Sequence, residues 1–244
     1  MYGRFLRSDR SSGKRLPNSQ KQHLAIINQF CLRGTLRVAR WLFFLSFVLT
    51  CAFGRGQCVV EDCTWPGANV RDVLSAVNDN IKYNPGADFA FIMVGHCDAT
   101  WNLQFVPLDE YKVKLATCIQ TLRDGGIDPF LIEIMPCLDD YLLERHPDLT
   151  QSPNSLLDTF RAAIREVAAE TSTPLVPLYD EFKPHYNYAA SAWVRNLANS
   201  GAKDGLHLTP EGIRHMTQRM FETLYTHGGK RTMRVQLYGD SVLY

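Results

Sequence analysis

Short, continuous apolar runs alternate along the chain with stretches in which apolar residues recur every three or four positions. The runs are typical of strands buried on both faces, and the wider spacing is typical of amphipathic helices. Predicted helices begin near Asn69, Leu108, Ser152 and Thr209. The predicted strands are Cys58–Asp62, Asp88–Gly95, Pro129–Pro136, Thr173–Tyr179 and Met233–Asp240. This alternation predicts right-handed βαβ units, and therefore a flavodoxin-like parallel sheet of about five strands in a three-layer α/β/α domain.

The first fifty residues do not follow this alternation. Residues 1–22 are rich in Arg, Lys, Ser and Asn, which predicts a flexible segment, and residues 23–244 are predicted to form one domain. The stretch Trp41–Phe53 is the most apolar in the chain, but it is shorter than the roughly 20 residues of a membrane-spanning helix. A buried helix, a secretory segment and a membrane anchor all remain open for it, and a membrane partner is not expected.

Composition and charge narrow the possibilities further. The 244 residues carry a formal net charge of +1, which does not favour a nucleic-acid partner. None of the seven cysteines has zinc-site spacing, so they are interpreted mostly as small buried side chains. That interpretation favours a reducing compartment, the cytoplasm, over secretion, although disulfides remain an alternative in a secreted protein.

The turns that follow the predicted strands carry the polar chemistry. In parallel α/β sheets, ligands bind at the carboxyl ends of the strands. Ser241 directly follows the last strand, Gly67 lies in the turn after the first, and Asp204 and His207 precede the last helix. A hydroxyl, an imidazole, a carboxylate and small backbone turns are the components of a serine hydrolase, so these residues are candidates for nucleophile, base, orienting acid and oxyanion site.

These segments resemble the blocks of the SGNH/GDSL family of esterases and lipases. The matching pieces are "YGDSVL" with Ser241, "PGAN" with Gly67, "VGHCDA", and "DGLHLTPEG" with Asp204 and His207. The resemblance implies hydrolysis of short acyl or acetyl esters, including acetylated carbohydrates, through an acyl-serine intermediate. It implies a catalytic triad of Ser241, His207 and Asp204, and neither a metal nor an organic cofactor.

The order of the blocks differs from the family pattern, which places the nucleophile first. Here the block with Ser241 follows the block with Asp204 and His207. Circular permutation is the simplest explanation, with the ancestral termini joined through the segment 227–232 and the chain opened just after the nucleophile turn.

The third block also departs from the family. The family pattern is Gly-x-Asn-Asp, whereas this chain reads Gly95-His96-Cys97-Asp98. Cys97 therefore stands where an Asn side chain would donate to the oxyanion, and a thiol is a weak donor. The expected oxyanion hole consists of the backbone N–H groups of Ser241 and Gly67, with Cys97 at the third position and Asn69 or His96 as substitute donors.

Two other functions are compatible with the same residues. A catalytically impaired binding domain is favoured by Cys97, and a membrane-tethered acyltransferase requires Trp41–Phe53 to be an anchor. The aromatic-rich stretch Tyr179–Ala198 is interpreted either as a wall or lid near the site or as a packing insert.

Overall fold

The computed structural model describes residues 58–83, 86–101, 103–186, 191–228 and 233–240. The predicted flexible segment 1–22 and the apolar stretch Trp41–Phe53 lie outside the described residues, so both interpretations stay predictions. No helix in the described part of the chain has the length and apolar character needed to cross a membrane.

Five strands form one parallel sheet in the order β1-β5-β2-β3-β4. The strands are β1 Cys58–Trp65, β2 Phe89–Met93, β3 Asp128–Ile132, β4 Leu175–Val176 and β5 Met233–Asp240. The predicted strands are therefore confirmed, although β1 continues to Trp65 and β4 pairs over only two residues. When β5 is counted first, the order becomes 2-1-3-4-5, which is the order of flavodoxin-like sheets.

The long helices also agree with the sequence prediction. They are α1 Val70–Tyr83, α3 Leu108–Asp124, α5 Pro153–Glu170 and α8 Pro210–Thr226. The sequence did not predict the shorter elements of the structure. These are the helices α2 His96–Thr100, α4 Asp139–Arg145, α6 Tyr179–Phe182 and α7 Leu197–Ser200 and the 3₁₀ turn Lys183–His185. A helix of two turns or less shows too little periodicity to be recognised.

Two of the long helices begin as their sequences indicate. Ser152 caps α5 by accepting the N–H of Ser155 at 3.4 Å, and Pro153 occupies the first turn. Thr209 caps α8 by accepting the N–H of Gly212 at 3.2 Å, again with Pro in the first turn. Each cap satisfies a backbone donor that the helix itself leaves without a partner.

The described helices cover both faces of the sheet. Helices α1, α3 and α5 enclose one core with Ala90, Ile92 and Tyr238. On the other face, α8 packs against Phe91 and Leu237. Alternate residues of β2 and β5 thus point into different cores, as expected of strands buried on both sides. The predicted three-layer arrangement is confirmed.

The buried cysteines behave as the sequence predicts. Cys97, Cys118 and Cys137 are buried thiols outside any disulfide. Burial raises the pKa of the Cys118 thiol to about 12. Such a thiol is a packing group rather than a nucleophile at neutral pH.

Strand β5 lies between β1 and β2, in the interior of the sheet. Gln236 is fully buried, and its amide donates to Glu61 of β1 at 2.9 Å. Tyr238 donates its hydroxyl hydrogen to Gln236 at 2.8 Å, and Arg234 pairs with Glu61. The bond between Gln236 and Glu61 favours one register, because a slip of one residue would leave the buried Gln236 amide without this partner.

Near its end, β5 approaches β2 so closely that only glycine fits. Gly239 has φ +140°, and a methyl group at this position would lie 1.7 Å from the carbonyl oxygen of Met93. Glycine is the residue that tolerates both this conformation and this close approach.

Candidate active site

Three neighbouring strands end at the same level of the sheet. Trp65 of β1 is paired with Asp240 of β5, and Met93 of β2 is paired with Gly239 of β5. The turn with Gly67, the end of β5 at Asp240, and the segment that leads to Cys97 therefore lie at one edge of the sheet. This is the edge at which parallel α/β sheets bind ligands.

Asp204 and His207 form a hydrogen-bonded pair in the loop before α8. The ring Nδ1 of His207 lies 2.8 and 2.9 Å from the two carboxylate oxygens of Asp204. Because a carboxylate accepts, Nδ1 carries the hydrogen and Nε2 is left as the basic nitrogen of the neutral ring. The His207 side chain is 28% exposed and the Asp204 side chain 11%, so the imidazole can be reached from solvent while the carboxylate is largely enclosed.

Contacts with the surrounding chain hold this loop beside the segment that follows β3. The N–H of Leu138, in the segment after β3, donates to the carbonyl of Gly205 at 2.8 Å. The N–H of Arg195 donates to the carbonyl of His207 at 2.8 Å, and the guanidinium of Arg145 donates to the carbonyl of Asp204 at 3.1 Å. The loop with the Asp–His pair is thereby tied to the carboxyl end of β3.

Burial and hydrogen bonding act in opposite directions on Asp204. Burial raises the pKa of its carboxyl, but hydrogen bonds from the His207 ring, the His207 N–H and the Leu206 N–H outweigh burial and lower the pKa from 3.8 to about 2. Asp204 therefore remains ionised throughout the neutral range and orients the His207 ring.

This lowered pKa makes a prediction about stability. A carboxyl whose pKa is lower in the folded than in the unfolded protein stabilises the folded state at pH values above its unfolded pKa. This stabilisation is lost as the pH falls through the folded pKa. We expect Asp204→Asn to reduce the free energy of unfolding by about 2 kcal/mol at pH 7. The difference from the wild type should shrink between about pH 4 and pH 2, as measured by urea unfolding.

The exposed carboxylate Asp128, at the start of β3, provides the matched control. Asp128→Asn should change stability little at any of these pH values, because surface substitutions of this kind have small effects. A pH-independent deficit in Asp204→Asn would contradict the assignment of the stabilisation to an ionised carboxylate.

The turn after β1 presents Gly67 with φ +79°, a conformation that favours glycine. Asn69, two residues later, accepts the N–H groups of Arg71 and Asp72 and so caps α1. Its amide nitrogen donates to the side-chain oxygen of Gln104 at 2.7 Å and to the Gln104 carbonyl at 3.2 Å. Both amide hydrogens are engaged, so the structure does not support Asn69 as a substitute oxyanion donor.

The short helix α2 carries the departure from the family pattern. Nε2 of the buried His96 donates to the carbonyl of Met135 at 3.0 Å, which directs this nitrogen towards the segment after β3. Cys97 is 8% exposed. Asp98 is fully buried and accepts the N–H of Val70 at 2.9 Å, which ties α2 to the start of α1.

The structure brings together some of the predicted site residues. It pairs Asp204 with His207, and it puts the turns of Gly67 and Cys97 at the edge where β5 ends. Ser241 lies outside the described residues, so its assignment as nucleophile stays a prediction.

Some supporting residues carried no signal in the sequence. Arg145 binds the carbonyls of Lys203 and Asp204, and Arg195 places its guanidinium 3.8 Å from the Asp204 carboxylate. Trp101 lies against Gly67 although 34 residues of chain separate them. Contacts of this kind have no local pattern and are visible only in the folded chain.

The aromatic stretch Tyr179–Ala198 acts as a packing insert in its described part. Trp193 stacks between His185 and His215, with ring centroids 3.6 and 4.2 Å away. His215 in turn pairs with Glu181 at 2.5 Å. The backbone carbonyl of Trp193 accepts the N–H of Thr209, so this stack supports the start of α8 and the loop before it.

Comparison with protein families identifies the class. Residues 34–215 match the model of the GDSL-like lipase/acylhydrolase family, and the chain belongs to this family. The matched residues include Gly67, Cys97, Asp204 and His207, and they end before β5. No curated protein matches the chain.

Solved structures share the fold at low sequence identity. A lipase/acylhydrolase from Enterococcus faecalis superimposes with a TM-score of 0.60 and 18% identity, covering 78% of this chain and 87% of that one. An acetyl xylan esterase from Geobacillus stearothermophilus gives a TM-score of 0.59 and 17% identity, with 75% and 80% coverage. LAE5, an enzyme from the metagenome of Lake Arreo in Spain, gives 0.55 and 15%, with 77% and 82% coverage.

Proposed function

We propose that this protein is a serine esterase that hydrolyses short acyl or acetyl esters through an acyl-Ser241 intermediate. The observation that carries the proposal is the hydrogen-bonded pair of Asp204 and His207, in a loop that is bonded to the segment after β3. Family membership supports ester hydrolysis as the reaction. The similar fold of an acetyl xylan esterase makes acetylated carbohydrates reasonable substrates to test.

In the proposed reaction, the hydroxyl oxygen of Ser241 attacks the ester carbonyl carbon while Nε2 of His207 takes the hydroxyl proton. The ester C–O bond then breaks, and His207 returns the proton to the departing alcohol. Water attacks the acyl-serine in the second half, again giving its proton to His207. The bond between the serine oxygen and the acyl carbon breaks, His207 returns the proton to the serine oxygen, and the acid is released.

Backbone N–H groups complete the proposed chemistry. The N–H groups of Ser241 and Gly67 would donate to the oxyanion that forms in each half-reaction. Asp204 would hold the His207 ring and stabilise the imidazolium. Apart from the ester and the attacking water, the proposed steps use only side chains and backbone of this chain.

We further propose that the chain is circularly permuted relative to its family. The support is the order of the blocks and the place of β5 in the sheet: the strand that precedes Ser241 comes last in the chain but lies second in the sheet order. A central strand next to β1 and β2 is where a nucleophile-bearing strand reaches the same edge as Gly67 and Cys97.

A fluorophosphonate probe tests the proposal directly, because it reacts with an activated serine. We expect one labelled residue, Ser241, by peptide mass spectrometry of the folded protein. A crystal structure of the labelled protein should then place the Ser241 oxygen about 3 Å from the His207 ring.

A binding domain without catalytic activity is the second candidate, and Cys97 at the family's Asn position favours it. The absence of labelling in correctly folded protein would decide for that candidate and against the esterase. Labelling on any residue other than Ser241 would overturn the nucleophile assignment.

A further inference from the structure

Arg195 lies beside the loop that carries the Asp–His pair. Its guanidinium nitrogen Nη1 is 3.8 Å from Oδ2 of Asp204, which is an ion-pair distance longer than a hydrogen bond. The Arg195 side chain is 33% exposed and the Asp204 side chain 11%, so water and salt screen this pair only in part. In the part of the chain that the structure describes, no Lys and no other Arg pairs with this carboxylate.

The backbone of Arg195 is bonded to the same loop. The Arg195 N–H donates to the carbonyl of His207 at 2.8 Å, and the Arg195 carbonyl accepts the N–H of Gly205 at 2.8 Å. Val194, the preceding residue, forms an antiparallel bridge with Leu208. Arg195 is therefore linked to the loop twice through its backbone and once through its side chain.

The neighbours of Arg195 in the chain fix the direction in which its side chain leaves the backbone. Val194 and Asn196 are both buried. The amide of Asn196 donates to the carbonyls of Val194 and Ser191 at 3.2 and 3.3 Å, and its oxygen accepts two N–H groups at the start of α7. These bonds do not involve the guanidinium, so a side-chain substitution at Arg195 should leave the local backbone in place.

The two oxygens of the Asp204 carboxylate are supported unequally. Oδ1 accepts the N–H of Leu206 at 3.1 Å, the N–H of His207 at 2.9 Å and the ring Nδ1–H at 2.8 Å. Oδ2 accepts the same ring Nδ1–H at 2.9 Å, and its other partner among the described residues is the Arg195 guanidinium. The ring hydrogen is therefore shared between an oxygen held by the backbone and an oxygen that faces Arg195.

This sharing sets the orientation of the imidazole. The bond at Nδ1 determines where Nε2 points, because the two nitrogens are fixed relative to each other in one planar ring. If Oδ2 turned away, the ring would follow Oδ1 and the direction of Nε2 would change. General acid–base catalysis depends on that direction, since the proton must pass along a short, aligned hydrogen bond.

We propose that Arg195 is a positioning residue, whose charge holds Oδ2 of Asp204 against the His207 ring and so fixes the direction of Nε2. This inference rests on the proposed esterase function, because it assigns a residue that acts on the base of that reaction. A displacement of about 1 Å at a reacting group costs up to about 100-fold in rate. Because Oδ1 keeps its backbone donors, loss of the guanidinium should cost less, about tenfold.

The first test measures kcat and KM for p-nitrophenyl acetate in variants of Arg195. Arg195→Ala should lower kcat about tenfold and change KM by less than about twofold, since the loss affects proton transfer and not ester binding. Arg195→Lys keeps the charge and should stay within about threefold of the wild-type kcat. Guanidinium chloride at millimolar concentration should restore part of the lost rate to Arg195→Ala and leave the wild type unchanged.

The matched control is Arg214→Ala on α8. Nη1 of Arg214 lies 3.8 Å from Oε1 of Glu211, the same separation as in the pair of Arg195 and Asp204, but both of these side chains are mostly exposed. This variant should keep the wild-type kcat with and without guanidinium ion. If Arg195→Ala does not fold, as judged by circular dichroism, Arg195→Gln replaces it, because glutamine retains much of the length without the charge.

The second test observes the Asp–His pair without hydrolysis. The hydrogen on Nδ1 of His207 should give a low-field ¹H NMR signal, which is assigned by its absence in His207→Gln. In Arg195→Ala this signal should move upfield or be lost through faster exchange with water. Arg195→Lys and Arg214→Ala should keep the signal at its wild-type position.

The two tests separate this inference from the esterase proposal. A wild-type protein that hydrolyses no ester, but whose low-field signal depends on Arg195 as expected, would overturn the esterase proposal alone. An active wild type in which Arg195→Ala keeps the full kcat, or loses it equally in Arg195→Lys with no recovery by guanidinium ion, would overturn the role of Arg195 alone. A signal that Arg195→Ala leaves unchanged, or a wild type without the signal, would also contradict this role.

Discussion

Replacing Ser241 by alanine is expected to lower kcat for p-nitrophenyl acetate by at least about 10⁴-fold, because the acyl-enzyme cannot form without the hydroxyl. Some acceleration over water should remain, since the oxyanion donors and the binding site are unchanged. The measurement is steady-state hydrolysis with folding checked by circular dichroism.

Ser155→Ala, at an exposed position of α5, is the control for serine loss and should keep full activity. If Ser241→Ala retained the wild-type rate, Ser241 would not be the nucleophile. The Asp204–His207 pair would then have to activate another group or water.

Replacing Cys97 by asparagine is expected to raise kcat by about 10- to 100-fold. The thiol stands where the family has an amide, and one oxyanion donor in a hydrolase is worth about 10²–10³ in turnover. The restored amide should give less than this full effect, because Cys97 is buried and the larger asparagine side chain must be accommodated there. Stopped assays of p-nitrophenyl acetate hydrolysis under saturating substrate measure the change.

Cys97→Ala is the matched variant, because it removes the weak donor and adds none. We expect it to be as slow as the wild type or slower, so that activity follows donor strength in the order Asn, Cys, Ala. An asparagine variant that folds normally but is no faster than the alanine variant would show that this position does not face the oxyanion.

Most of the scaffold could be predicted because its signals are local. The period-3.6 patterns of α1, α3, α5 and α8 and the apolar runs of the strands are visible in short windows of sequence. Proline and cap residues marked the helix starts at Ser152 and Thr209. The short helices escaped prediction because tertiary contacts, rather than their own periodicity, stabilise them.

The site was predictable where it is compact in sequence. Asp204 and His207 are three residues apart, so their pairing needs only one turn of backbone. The contact of Trp101 with Gly67 and the anchoring of the site loop by Arg145 join distant parts of the chain. No short sequence window contains both partners, so these contacts became visible only from the fold.

The central place of β5 also affects how the chain reaches this fold. Strands β1 and β2 are separated in the sheet by a strand that the ribosome makes after both of them, and Cys58 pairs with Met233 across 175 positions. Pairings between such distant residues close slowly, because loop closure costs entropy before any contact forms. Until β5 is synthesised, the nascent chain exposes the inner edges of β1 and β2, which are the edges most prone to mispairing with other chains.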